Sequence, residues 1–353
     1  MVRKVLWAFG GAAIALFLFA GVFLLYVTVT DYRPRETEPI VMEGNPDRVM
    51  KAGDAFTVTT FNIGYGGLDR DQDFFMDGGT GSRSSSKRQT ELNLRGMGTF
   101  LSGLRSDIIF IQEVDIDSTR SYRINEVDSL KVFLPGYGFS YADNYKMPWV
   151  PVPVLHPMVH VRGGMLTLSK FNSSSAVRYQ LPGEEKWPRQ QFDLDRAFIE
   201  NRIPVKNGKE LVLVNLHLSA FDKGGSIRKQ QLHYLKAYIQ KETALGNYLI
   251  VGGDWNHSLP GTDPKAFKTT QDWPEWLQPF PEDFKPEGFQ WAVDNKVPSV
   301  RTVDLPFKEG LNFRAVIDGF LVSPNIEILH VEGYDLKHEH SDHNPVRAEF
   351  VLK

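Results

Sequence analysis

The chain has 353 residues, 24% of them charged and 42% hydrophobic, with a formal net charge of −3. That balance excludes a protein that holds nucleic acid through a cationic field over the whole chain, and leaves only a local basic patch open. The absence of cysteine excludes disulfides, thiolate metal sites and a cysteine nucleophile, and suits either redox compartment.

After a short tail, residues 1–4, the run "VLWAFGGAAIALFLFAGVFLLYVTVT" carries no charge across residues 5–30. A helix needs roughly 20 apolar residues to cross a bilayer, so this stretch reads as one transmembrane helix. A cleaved signal peptide is the alternative. Its apolar core is usually shorter, roughly 7–15 residues, and no small-x-small cleavage site precedes "DYRPRE". Arg3 and Lys4 before the span nearly balance Arg33 and Arg35 after it, so basic residues hardly discriminate orientation. The very short N-terminal tail favours an inside start, which predicts a single-pass cell-membrane protein whose domain is extracytoplasmic.

Residues 31–53 are rich in proline and charge without sustained period, and read as a linker lifting a domain off the membrane. The domain, residues 54–353, opens with "AFTVTTFNIGYGG", a β-branched and aromatic run emptying into glycines as a strand does into a loop. The next stretch, "DRDQDFFMDGGTGSRSSSKR", has the composition of a mobile loop, its basic end read as a solvated surface in preference to an anion clamp. Leu94, Met97, Leu101 and Leu104 recur at helical spacing, and "SDIIFIQEV" follows at strand length. Further strands are expected at "GGMLTLSKF" and "KELVLVNLHLSAF". A helix from Ser226 presents Leu232, Leu235 and Ile239 on one face before "NYLIVGGDWN". Beyond a Trp- and Pro-rich stretch at 260–306 come "AVIDGFLVS", "IEILHVEGY" and "PVRAEFVL". Strands with interspersed helices predict a layered α/β or α+β domain and not a bundle.

Polar residues recur where apolar strands end. Asn62 closes "TTFN", Glu113 falls in "FIQEV", and Asn215 with His217 shares one face of "LVLVNLH". Asp254 and Asn256 follow "YLIVGG", and Asp318 sits inside "AVIDGF". Each taken alone fits a satisfied core polar group or, for "VGGDWNHS", a surface turn. A buried unpaired carboxylate costs several kcal/mol, so several together suggest mutual compensation around a cation. Glu113, Asn62, Asp254 and Asp342 supply oxygen ligands suited to Mg²⁺, with Mn²⁺ the alternative; nitrogen ligands are too few to favour zinc.

These segments, in this order, resemble the endonuclease/exonuclease/phosphatase superfamily. The pieces are "TFNI", "IQEV", "NLHL", "GGDWN", "VIDGF" and "SDHNPV", covering the chain from about Phe56 onward, with "GGMLTLSK" as a further match. The resemblance implies a DNase I-like four-layer sandwich, two packed mixed β-sheets flanked by helices. It further implies a metal-dependent phosphoric ester hydrolase working by in-line attack of water at phosphorus. Glu113 would bind the metal with Asn62 beside it, and Asp342 would support the metal or its waters. Asp254 would orient and deprotonate the water, and Asn256 would hold a phosphate oxygen or that water. His217 and His343 would donate hydrogen bonds to the phosphate, Asp318 would fix the His343 tautomer, and Asn215 joins the catalytic set through "NLHL". Gly64 departs from the pattern, standing where several nuclease members carry an acid, and Trp255 replaces a common Phe.

Fold alone does not choose among nucleic acid, lipid and inositol phosphate substrates. The apolar anchor and the lack of net basic charge favour a lipid head group or other envelope-associated phosphodiester. The apolar segment "YADNYKMPWVPVPVLHPMVHVRGG" would suit an interfacial substrate if exposed and says nothing if packed. A membrane-tethered nuclease using "SRSSSKR", Arg162 and Lys170 is the runner-up, and an inactive phosphate-binding module is the reading from another class. No obligate protein partner is inferred.

Overall fold

The structure, a computed structural model, describes residues 2–220, 222 and 224–353. In chain order its principal elements are α1 (Val2–Val29), β1 (Thr37–Pro39), β2 (Ala55–Asn62), α2 (Lys87–Leu104), β3 (Ile108–Asp115) and α3 (Glu126–Lys131). Then come β4 (Gly138–Val150), β5 (Val159–Ser169), β6 (Ser175–Gln180), β7 (Ala197–Pro204), β8 (Glu210–His217), α4 (Ser226–Ala244) and β9 (Tyr248–Asp254). The chain closes with β10 (Gln290–Ala292), β11 (Asp318–Val322), β12 (Ile326–Gly333) and β13 (Val346–Leu352).

Two mixed sheets form, one in the order β1-β6-β7-β8-β9-β11-β10 and the other β12-β13-β2-β3-β5-β4. Their packing follows from strands that are apolar on both faces. Phe56, Val58, Ile108 and Phe110 of one sheet meet Leu211, Leu213, Tyr248 and Ile250 of the other in a shared core. The alternate residues turn outward onto helices: Phe61, Ile109 and Ile111 cover Leu94, Met97 and Leu101 of α2. Val212, Val214 and Leu249 likewise cover Leu232, Leu235 and Ile239 of α4. The result is helix, sheet, sheet, helix, the expected four-layer sandwich.

Within each sheet one central pair is parallel, β2 with β3 and β8 with β9. A parallel pair needs a long crossover, and α2 and α4 supply them. Their carboxyl ends, with the starts of the antiparallel neighbours β11 and β13, lie at one edge of the sandwich.

Two expectations are corrected. Residues 31–53 do not stand free as a spacer: β1 pairs antiparallel with β6, Glu43 bridges to Phe139, and Met50 is buried beside Val205. The "SRSSSKR" stretch is solvated only at its basic end: Ser85, Ser86, Lys87 and Arg88 are exposed, whereas Ser82 and Ser84 are buried and Arg83 is half-buried. Ser82 Oγ donates to the His156 carbonyl at 2.6 Å, an Arg83 N–H donates to Pro157 O at 3.0 Å, and Ser86 caps α2 by accepting from Gln89 N at 3.1 Å. Short hydroxyl side chains satisfy backbone groups here, which composition alone does not distinguish from hydration.

Helix α1 is long and apolar enough to cross a membrane, with mean hydropathy 2.5 in its most apolar window. It leaves most of its surface uncovered and meets the domain through its last turns, where Phe23, Leu24 and Val27 pack with Tyr145, Met147, Val150 and Phe192. Truncation of a residue at the middle of the inter-sheet core, Leu213→Ala, is expected to cost about 2–5 kcal/mol of stability, read by denaturant unfolding.

Candidate active site

The common edge gathers the polar strand ends. Asn62, last residue of β2, donates its side-chain amide both to Glu113 Oε1 at 3.1 Å and to Asp254 Oδ2 at 3.0 Å, so acids from the two sheets share one donor. His217 Nε2 lies 3.5 Å from Asp254 Oδ2 and 3.9 Å from Glu113 Oε1. His343 Nδ1 pairs with Asp318 Oδ2 at 2.9 Å, leaving Nε2 facing Asp254 at 3.7 Å. Glu113, His217, Asp254, Asn256, Asp342 and His343 line one cavity of about 590 Å³.

Local backbone geometry aims these groups. The β3–β5 register shifts between Ile111 and Val114, and Glu113 within the bulge has φ of 55°. A bulge turns a side chain off the face that strict alternation assigns, and here it brings Glu113 to the cleft. Asn256 also takes a left-handed φ of 50°, its backbone N–H donating to Asp254 Oδ1 at 3.0 Å and its Nδ2 to Leu218 O at 2.7 Å. The strain is held by these bonds and leaves Asn256 Oδ1 as an acceptor. Gly253, with φ of 135°, would drive a Cβ into the Leu216 backbone, so the glycine before the acid serves close strand packing. Trp255 is buried against Phe280, Phe284 and Trp291 and donates to Gly319 O at 3.1 Å, a packing role away from the acids.

Electrostatics separate the titrating groups. Burial, reinforced by the Asp318 charge and opposed by His343, pushes Asp254 up to about 7. Burial also pushes Asp342 up to about 6, with His343 opposing and Glu113 adding. His343 is pushed up to about 10, because the Asp318 charge and hydrogen bond outweigh its desolvation. His217 is held well below the usual imidazole range by burial, with Arg196 and His343 adding, and is therefore neutral.

Neighbouring buried acids that hold each other's protons are the arrangement a divalent cation relieves. Glu113 and Asp342 offer hard oxygen donors that fit Mg²⁺. Asn62 fits less directly as a ligand, since its Oδ1 already accepts from Gly64 N at 3.0 Å and its amide donates to the acids. Asp254, Asp318 and His343 also present ligand atoms within 4.8 Å of one another. His343 and Asp318 already pair with each other there.

Asn215 does not reach the cavity. It lies one layer deeper, donating to Leu166 O at 3.1 Å and accepting from Gln112 Nε2 at 2.8 Å, and so ties the two sheets beneath the site. Among the cavity-lining residues that the sequence did not single out are Tyr65, Arg120 and Arg196. Arg120 stacks over the Tyr65 ring at 4.0 Å and pairs with Asp115 at 2.9 Å. Among the described residues one buried guanidinium nitrogen of Arg196 has no partner, and burial lowers the Arg196 pKa while Glu113 and Asp254 oppose the shift. No spacing or composition sets "DLDRAF" apart, so no sequence signal marked it.

Four layers with acids and imidazoles gathered where parallel strands end define a DNase I-like phosphoesterase. The model of the Endonuclease/Exonuclease/phosphatase family matches residues 59–343. The chain belongs to that family, whose members are metal-dependent phosphoric ester hydrolases. Among solved structures, an endonuclease/exonuclease/phosphatase from Beutenbergia cavernae DSM 12333 superposes with a TM-score of 0.56 at 16% identity, over 84% of this chain and 72% of that one. One from Bacteroides vulgatus gives 0.52 at 16%, over 85% and 100%. D. rerio TDP2 complexed with single strand DNA product gives 0.52 at 14%, over 84% and 99%. At such identities the likeness is one of fold. No protein of curated function is matched by the sequence.

The departure at Gly64 has a steric reason. Its φ is 52°, and a Cβ there would lie 2.8 Å from Asp342 Oδ1, so the Asp342 carboxylate fills the space an acid at 64 would use. Gly64→Asp is expected to destabilise the fold by about 1–3 kcal/mol and to weaken Mg²⁺ binding, measured by calorimetric titration.

Proposed function

We propose that the protein is a membrane-anchored, Mg²⁺-dependent phosphodiesterase with an extracytoplasmic domain, residues 54–353, acting on a phosphoester at the membrane surface, in first place a lipid head group. One observation carries this reading. The cavity that holds Glu113, His217, Asp254 and His343 is lined as well by Tyr32, Arg33 and Pro34, which follow the apolar helix almost at once. Between the two ends lie Tyr145, Met158, Phe192 and Leu194, an apolar wall for the non-polar part of a substrate.

Asp254, poised near neutrality, accepts a proton from the attacking water, which Asn256 Oδ1 orients. His343, held as an imidazolium by Asp318, donates Nε2–H to a phosphoryl oxygen. His217, neutral, gives a second contact that carries no charge, and Arg196 offers its guanidinium to the phosphate. Glu113 and Asp342 would hold Mg²⁺, which would supply charge neutralisation at the phosphoryl group. The Asp254→Ala variant is expected to lose roughly 10²–10⁴-fold in kcat, since Asp254 carries the general-base role. EDTA is expected to abolish turnover, restored by Mg²⁺.

Asp318 raises the pKa of both Asp254 and His343. Activity requires Asp254 deprotonated and His343 protonated, giving a bell-shaped profile. Removing the charge in Asp318→Asn lowers both values, so both limbs of the kcat/KM profile are expected to move to lower pH. Limbs that stay in place would count against these roles.

A tethered nuclease is the second reading, favoured by the fold shared with a TDP2 that holds a single strand DNA product. Of the basic residues it would use, Lys87 and Arg88 are exposed, and the other three are engaged within the protein. Arg162 pairs with Asp143 at 3.2 Å, Lys170 donates to Arg105 O at 2.7 Å, and Arg83 is bound to Pro157 O. Assay of the full chain in phosphatidylcholine vesicles against phospholipids, plasmid DNA, RNA and inositol phosphates separates the readings. Rapid plasmid cleavage with lipids untouched would reverse the preference.

A further inference from the structure

The hairpin joining β4 to β5 ends in "PWVPVPVLHPM", residues 148–158, a stretch without Asp, Glu, Lys or Arg. Val150 and Met158 fold inward, but the side chains between and beside them do not: Trp149 is 42% exposed, Val154 83% and Leu155 86%. The base of the same hairpin is apolar core, with Tyr145, Met147, Val150, Met158 and Val161 packed around Val27 of α1. Further along, Pro148, Trp149 and Pro151 face Phe19, Phe23 and Tyr26 of α1 across a groove of about 410 Å³. The tip therefore runs beside the anchor, back toward its middle.

The helix supplies a depth scale. A span of roughly 20 residues that begins at Val5 ends near Leu24, which leaves Phe19 roughly 8 Å beneath the hydrocarbon boundary at the helical rise. Whatever lies level with Phe19 is then at acyl-chain depth. Backbone in that region must have its polar groups satisfied internally. Pro148, Pro151, Pro153 and Pro157 carry no N–H, His156 N is bonded to Pro153 O at 3.0 Å and Met158 N to Val152 O at 3.0 Å, and the N–H groups of Val152, Val154 and Leu155, unbonded among the described residues, are left to the polar side of the boundary. Such a tip has few donors to desolvate and much apolar surface to bury.

We propose that the β4–β5 tip, Pro148–Met158, is a second membrane element, lying in the acyl-chain boundary of one leaflet beside the carboxyl end of α1. This rests on α1 spanning the bilayer, and it orients the cavity mouth, with Tyr32, Arg33 and Phe192 at its rim, toward the head groups of that leaflet. The tip and the rim share one wall: Tyr145 and Met158 belong to both the hairpin cluster and the cavity lining.

The chain has no cysteine, so single thiols can be placed in the full-length protein without background. Leu155→Cys carrying an environment-sensitive fluorophore, in phosphatidylcholine vesicles, is expected to show blue-shifted emission and quenching by nitroxide-labelled lipids. Leu245→Cys, an exposed site following α4, is expected to stay water-like and unquenched. A water-like Leu155 probe in protein whose domain is vesicle-bound would overturn the proposal. Shielding without lipid quenching, as a second copy covering the hairpin would give, would overturn it too. Turnover of phosphatidylcholine is scored in the same vesicles: a lipid-buried probe with no lipid hydrolysis, while a water-soluble diester is still cleaved, removes the lipid-substrate reading and leaves the second membrane element standing.

Discussion

One side-chain amide holds the site together. Asn62 ends a strand of one sheet, and its Nδ2 donates to Glu113 of that sheet and Asp254 of the other. Two like charges so placed repel in a medium that screens them poorly, and burial raises the cost of each. The amide, the His343 imidazolium and the Arg196 guanidinium are what the chain sets against that cost, with a divalent cation as the natural remainder. Burial, with the Asp318 charge adding, pushes Asp254 up to about 7 and so keeps it able to take a proton near neutral pH.

That contact depends on register. Each sheet contains one parallel pair closed by a helical crossover, so the carboxyl ends of β2, β3, β8 and β9 emerge together. Ligand sites collect at such ends because side chains there leave the packed core and can converge on one point. A slip of one residue in β9 would turn Asp254 away from the inter-sheet side, where Tyr248 and Ile250 also point. The Gly252–Gly253 pair and the Phe320 ring against it leave β9 little freedom to slip.

The apolar end of α1 is joined to this edge through the β4–β5 hairpin, and not through a free linker. Val27 is fully buried in the domain, Thr28 accepts from Gln191 at 2.7 Å, and the chain then passes along the cavity mouth before β1 joins the sheet. An active site so attached has a restricted orientation relative to α1.

By itself the sequence determined the layered class, the strands that carry the site and the residues that interrupt them: a polar group ending an apolar strand is visible because burial makes it costly. It also marked the pairing of Asp318 with His343 through the family's motif order. What only the tertiary structure decided is direction and depth. Asn215 and His217 share a strand face, yet two residues of rise, roughly 7 Å, separate a sheet-bridging amide in the core from an imidazole in the cavity. The left-handed turn at Glu113, the steric exclusion of an acid at 64, and the arrival of Arg196 from a featureless segment are long-range outcomes with no local pattern. Periodicity reports which face a residue takes along its own strand; which other residues it then meets is set by how the two sheets stack.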